Sequence, residues 1–263
     1  MIKKIISAHK GKNGKAKNCL SKEVENANEQ LAGNELQTAQ SRLGFLQELE
    51  EEAEQGDAST QFDLGCMYLE GFGVHKNYKK AAEYFKKAAD QGLPEAQFNL
   101  GVMYDHGLGV PKDCQKAAEW CRKAAEQELP EAQNYLGSIY RDEDGILLDY
   151  QKAAEWYQKS AEQGYTDAKH NLGCLYVFGL GVPHDYDVAF KLFKEAAEEG
   201  CPNAQYNLGC LYEKGFGVQQ DYQKAAECYQ KSAEQGYADA LTRLNYIREN
   251  GLDLPQNAQE MYS

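Results

Sequence analysis

The chain has no apolar run near the roughly 18 residues that a bilayer-spanning helix requires, and its mean hydropathy is −0.71. A transmembrane helix is therefore excluded. Positive charge is in short supply: 28 Lys and Arg stand against 41 Asp and Glu, a net charge of −13 over 263 residues. Nucleic acids and anionic membranes need a basic face, so neither is expected as a partner. There is no GxSxG elbow and no glycine-rich phosphate loop ending in GK(S/T). What is present is 42% apolar and 11% aromatic residues, too much for a wholly disordered chain and enough for a sizeable core.

The charge is unevenly placed. Residues 1–20 hold six lysines (Lys3, Lys4, Lys10, Lys12, Lys15, Lys17) and no acid, a local +6; because the whole is −13, the remainder carries −19. This segment lacks the apolar core of a secretory signal, its longest apolar stretch being Ile5-Ile6, and it lacks the arginines of a mitochondrial presequence. Its Lys, Gly and Asn content predicts a flexible basic tail over 1–40.

Self-similarity is the dominant signal. LGCMYLEGFGV from Leu64 recurs as LGVMYDHGLGV from Leu100, LGSIYRDEDGI from Leu136, LGCLYVFGLGV from Leu172 and LGCLYEKGFGV from Leu208, always at a spacing of 36. Each is followed by a second pattern, as in KAAEYFKKAADQG from Lys80 and KAAEWYQKSAEQG from Lys152. Five units result: 60–95, 96–131, 132–167, 168–203 and 204–239.

Each unit reads as two helices. Ala96, Leu100, Met103 and Tyr104 form an i, i+4, i+7, i+8 stripe in the first. A glycine inside that helix costs about 1 kcal/mol relative to alanine. Its recurrence at Gly65, Gly101, Gly137, Gly173 and Gly209 therefore implies close approach of a neighbouring helix. The helix should end at Gly107, before a GxGV loop stiffened by Pro111 or Pro183. Asn77, Asp113, Asp149, Asp185 and Asp221 stand where an N-cap of the second helix belongs. Gly92, Gly164, Gly200 and Gly236 close that helix, Glu128 replacing glycine in unit two. Pro94, Pro130 and Pro202 suit the first turn of the next. Such pairs bury their apolar side only by stacking, which is the logic of an α-solenoid. Helices over 45–56 and 240–251 should cap it, leaving a short tail over 252–263.

The shared pattern, A-x-x-x-LG-x-(M/L)Y-x-x-G-x-GV-x-x-DY-x-KAAE-(W/Y)-x-x-KAAEQG, resembles the Sel1-like repeat, a relative of the tetratricopeptide repeat, in the form that bacterial members show. The resemblance covers 60–239 fully and 45–251 with the caps. It implies an all-α, right-handed superhelix whose concave face, lined by the first helices, serves as a scaffold or adaptor for other proteins. Glu143 in place of a loop glycine, and Val188-Ala189-Phe190-Lys191-Leu192 in place of KAAEW, are local departures from the pattern.

By that analogy, the first-helix positions that vary between units are candidates for partner binding: Phe62, Leu69, Phe98, Asp105, His106, Arg141, Asp142, His170, Val177, Phe178, Tyr206, Glu213 and Lys214. Aromatic anchors amid mixed charge suit capture of a peptide or helix. Packing between repeats is the competing role for Phe62, Phe98 and Tyr206. Leu69, Val177 and Phe178 are the sharper candidates, because sibling units carry Asp, Arg, Glu or Lys there, and an apolar side chain in such a place predicts an exposed patch.

Of the eight cysteines, Cys66, Cys174 and Cys210 share one repeat position, while Cys19, Cys114, Cys121, Cys201 and Cys228 are scattered. Some bacterial relatives carry a regular cysteine pair in each repeat. This chain does not, so reduced thiols in a reducing compartment, and cytoplasmic residence, are expected; delivery into a host cell stays open. His170 and Cys174, one turn apart with Cys210 a repeat away, are too few for a tetrahedral metal site. Asp142-Glu143-Asp144-Gly145 lacks the closing Glu of a calcium loop. No metal or cofactor is expected.

Some relatives are credited with β-lactam hydrolysis or penicillin binding. That chemistry needs SxxK with SDN and KTG partners. The only SxxK, Ser7-Ala8-His9-Lys10, lies in the tail, and neither partner motif exists. The reading is thus a non-enzymatic scaffold for an unidentified protein or peptide. A hydrolase and a self-associating structural protein, the latter through the +6 tail or end to end, are the alternatives.

Overall fold

The structure, a computed structural model, describes residues 35–142 and 147–252. Among these residues there are twelve α-helices and no strand: α1 (Glu35–Glu54), α2 (Ala58–Glu70), α3 (Tyr78–Asp90), α4 (Pro94–His106), α5 (Cys114–Glu126), α6 (Pro130–Arg141), α7 (Tyr150–Glu162), α8 (Thr166–Phe178), α9 (Tyr186–Glu198), α10 (Pro202–Lys214), α11 (Tyr222–Glu234) and α12 (Ala238–Glu249). This is an all-α solenoid. The helices recur in pairs, and in each pair a first helix packs on a second. Two compact units are distinguished: one of the residues up to Ala96 with Leu108–Val110, the other of Gln97–Gly107 with the residues from Pro111 onward.

The boundaries follow from local chemistry. Every second helix from α3 to α11 starts at the expected cap: the side chains of Asn77, Asp113, Asp149 and Asp221 accept from the backbone N–H three residues on, and Asp185 accepts from Asp187 and Val188. First helices start on proline at Pro94, Pro130 and Pro202. They therefore begin two residues before the units drawn from the sequence. Glycine in the left-handed conformation closes α2, α8 and α10 at Gly71, Gly179 and Gly215. Two expectations change. The first helix begins at Glu35, inside the expected tail over 1–40, and the last spans Ala238–Glu249 rather than 240–251. Residues 1–34, the Glu143–Asp144–Gly145 loop and most of the C-terminal tail lie outside the described residues.

The helix glycines do what their recurrence implied. A Cβ on Gly65, Gly137, Gly173 or Gly209 would stand 2.6 to 2.8 Å from the ring of Phe85, Tyr157, Phe193 or Tyr229, and one on Gly101 would meet Cys121 Sγ at 2.5 Å and Ala117 O at 3.0 Å. The five partners lie 36 residues apart and are fully buried. In the first unit, Leu49, Ala53 and Leu64 form the core between α1 and α2. In the second, successive cores centre on Phe193 with Leu208 and Leu211, and on Tyr229 with Leu244 and Ile247.

A buried glutamine fixes the first helices α2, α6 and α10. Gln61, Gln133 and Gln205 donate to the carbonyls of Ala53, Ala125 and Ala197 on the preceding helix at 2.8, 3.1 and 3.2 Å. Each also accepts from a second glutamine of its own repeat, Gln91, Gln163 or Gln235, at 2.8 Å. The fourth repeat exchanges this neutral pair for a charged one: Lys169 Nζ lies 2.9 Å from Glu199 and 3.0 Å from Glu195.

Candidate protein-interaction face

The first-helix face is built from two positions of one repeat that converge on one residue of the next. Phe98 packs edge-on against Tyr135, with ring centres 5.7 Å apart, and the Tyr135 hydroxyl donates to Asp105 Oδ2 at 2.5 Å and lies 3.4 Å from His106 Nε2. One repeat on, Asn171 donates to Asn134 Oδ1 at 2.9 Å and accepts from Arg141 Nη1 at 3.2 Å. In the next, Asn207 Nδ2 lies 3.0 Å from His170 Nε2, while the other position is Val177. At the end Arg243 pairs with Glu213, its Nε 3.2 Å from Oε2. Tyr135, Asn171, Asn207 and Arg243 were not singled out from the sequence. The signal was there, since each directly follows a varying position, but varying residues were read as free rather than as pairing across repeats.

The core tyrosines add polar partners. Tyr157 reaches Ser138 Oγ at 3.0 Å, and Tyr229 donates to Glu213 Oε2 at 2.7 Å and lies 3.3 Å from Cys210 Sγ. Where the core ring is Phe85 or Phe193, no hydroxyl needs an acceptor.

This arrangement corrects several expected exposures. Leu69 is 7% exposed, Phe98 2% and Glu213 8%, so none forms an exposed patch. The reason is geometric for Glu213: it shares the position from which Asp105 and Arg141 also reach toward the following repeat, and pairs there with Arg243. Phe98 is covered by Tyr135. Phe62 and Tyr206 are half-buried, their rings tilted against Phe85 and against Tyr229 and Tyr237 respectively. Val177 is also half-buried and packs on the Phe193 core. His106, Asp142 and Lys214 are exposed. Phe178 stands out, 71% exposed at the end of α8.

The electrostatics of the face argue against nucleophilic chemistry by its Cys–His pair. Burial, aided by the nearby Arg141 charge, pushes the His170 imidazole down to about 4. Burial pushes the Cys174 thiol up to about 11. The two lie 3.5 Å apart, Sγ to Nε2, yet at neutral pH both are uncharged, so neither thiolate nor imidazolium forms. Among the described residues no group of three His, Cys, Asp or Glu is placed to hold a metal ion. None of their helices is long and apolar enough to cross a membrane. Ser7 and Lys10 lie outside the described residues.

Comparison with known proteins gives a consistent result. The Sel1 repeat family model matches residues 58–93, 94–129, 130–165, 166–201, 202–237 and 238–260, so the stretch read as a C-terminal cap is a sixth, shorter match. No curated protein matches the chain. Among solved structures, c5321, a protective antigen present in uropathogenic Escherichia coli strains, is 36% identical with a TM-score of 0.74 over 87% of this chain. Only 52% of that antigen is covered, so the chain spans about half its length. A Sel1 repeat protein from Oxalobacter formigenes is 34% identical with a TM-score of 0.71, over 79% of this chain and 82% of that one. Sel1 repeats generally mediate protein interactions and are generally non-catalytic. With six matched repeats over most of its length, this chain belongs to the Sel1 repeat family.

Proposed function

We propose that the protein is a non-enzymatic scaffold that binds a peptide or protein segment along its first-helix face. The observation that carries this reading is Phe178. A phenylalanine 71% exposed, beside the half-buried Val177, sits where sibling repeats place Glu70, His106, Asp142 and Lys214. Its packing role is already filled by Leu172 and Leu175 on the same helix, both buried, so the ring is surplus to the fold. A ring of this size sheds about 2 kcal/mol of unfavourable hydration on burial, which suits an interface anchor.

The test is an affinity capture from native lysate comparing wild type with a Val177→Glu/Phe178→Glu variant of equal helicity. Loss of a specific partner from the folded variant is the expected outcome. Retention of the same partners on both would move the function off this face. A reducing compartment belongs to the same proposal, since the Cys121 thiol is fully buried inside the packing. Thiol labelling of the native and the unfolded protein checks it, with free thiols expected in both.

A further inference from the structure

Among the described residues, the half-buried Arg141 on the first-helix face enters no ion pair. The Arg141 guanidinium, half-buried at the end of α6, donates to the Asn171 amide at 3.2 Å and lies 5.7 Å from the centre of the Tyr157 ring. The ion pairs of the surrounding repeats engage Lys152, Lys169, Lys194, Lys224 and Arg243, not Arg141. At the same helix position Glu213 has its own partner in Arg243, and Asp105 has Tyr135. The groups that face Arg141 are neutral at pH 7: the Tyr157 phenol from α7, and His170 and Cys174 from α8. Asp142, the next residue, is exposed. In a chain of net −13, Arg141 combines partial burial with donors that no carboxylate among the described residues takes up.

We propose that Arg141 anchors a carboxylate of the bound segment, an Asp or Glu side chain or a chain terminus, on the face between the third and fourth repeats. The proposal rests on the reading of this face as a peptide-binding surface. A guanidinium offers five N–H donors, of which Asn171 takes one, so a two-oxygen acceptor can still be bound in bidentate fashion. A single positive charge with the neutral Tyr157, His170 and Cys174 on its inner side matches a monoanion. A phosphoryl group, at nearly two negative charges, would need a second cation that the surroundings do not supply. Phe178, on the helix that follows, would take an apolar side chain of the same segment.

The test uses the full chain and a randomised twelve-residue peptide display library, with selected peptides resynthesised with Asp and Glu changed to Asn and Gln, and separately with an amidated C-terminus. The expected result is enrichment of peptides with an acid at a fixed place, weakened on the order of tenfold by the amide change or by Arg141→Gln and weakened less by Arg141→Lys. The amidated series tells a terminal from a side-chain carboxylate. Unchanged helicity and melting of the Arg141 variants shows that the loss is local. Peptides that bind equally after Asp/Glu-to-amide replacement and C-terminal amidation, and that ignore Arg141→Gln yet are lost on Phe178→Glu, overturn the carboxylate anchor and leave the face intact. Peptides indifferent to both Arg141→Gln and Phe178→Glu, or no selected peptides at all, overturn both.

Discussion

At the scale of single residues, Glu128 is a strained side chain that its siblings avoid. It has φ +62°, the one non-glycine residue with positive φ among those described, where the other repeats carry Gly92, Gly164, Gly200 and Gly236. The left-handed region costs an L-residue about 1–2 kcal/mol, and glycine returns about half of that through unfolded-chain entropy. Glu128→Gly is therefore expected to stabilise the protein by about 0.5–1 kcal/mol, read as a higher melting temperature or denaturant midpoint. This residue was legible from the sequence, because a break in a register of glycines is visible without coordinates. Leu69 was not. Its apolar character beside charged siblings fitted an exposed patch as well as a buried contact, and periodicity alone does not decide between the two. Arg141 is intermediate: its variability was legible, but its lack of an ion pair among the described residues depends on which neighbours fold onto it.

At the scale of elements, the second helices share one electrostatic device. The caps Asp113, Asp149 and Asp221 are held below the ordinary aspartate value of 3.8, first by the backbone N–H of the lysine three residues on and then by its side chain or ammonium charge. A lowered carboxyl value means that the folded state releases protons more readily, so this stabilisation is present above 3.8 and is lost as pH falls below it. Asp63 on α2 has the opposite sign: burial raises it to about 6, so its contribution favours folding at low pH and declines as pH rises from 3.8 toward 6. Melting temperatures across pH 2 to about 7 should show the acid limb flattened by Asp113→Asn/Asp149→Asn/Asp221→Asn, since asparagine still caps without titrating. Asp63→Asn should instead remove the decline between 3.8 and about 6. Caps, helix pairs and close-approach glycines were all legible because each is set by sequence-local chemistry repeated at a spacing of 36. The pairing of Asp105, Arg141 and Glu213 with the next repeat was not, since it joins positions 30 residues apart that vary together rather than recur.

At the scale of the whole molecule, helices within each compact unit pack on their sequence neighbours, so the stability of each unit is close to a sum of repeat and junction contributions. Those junctions are not equal. The glutamine-to-carbonyl bond that ties α2, α6 and α10 to the helix before is absent at α8, where Lys169 turns instead to Glu195 and Glu199 of its own repeat. A buried bond of this kind contributes about 1 kcal/mol. Hydrogen exchange under mild denaturant is expected to show earlier joint opening of α8 and α9 away from α7 than of α6 away from α5. A paired change, Lys169→Gln with Glu199→Gln, should even the two out. Identical exchange across both junctions would show that the missing bond has no weight. The consequence reaches past stability. A junction that lacks this bond, between two that keep it, is a seam. It sets where stretching or partial unfolding would divide the array, and it lies at the step from Arg141 to Phe178, so a ligand spanning those residues would act as a splint across it.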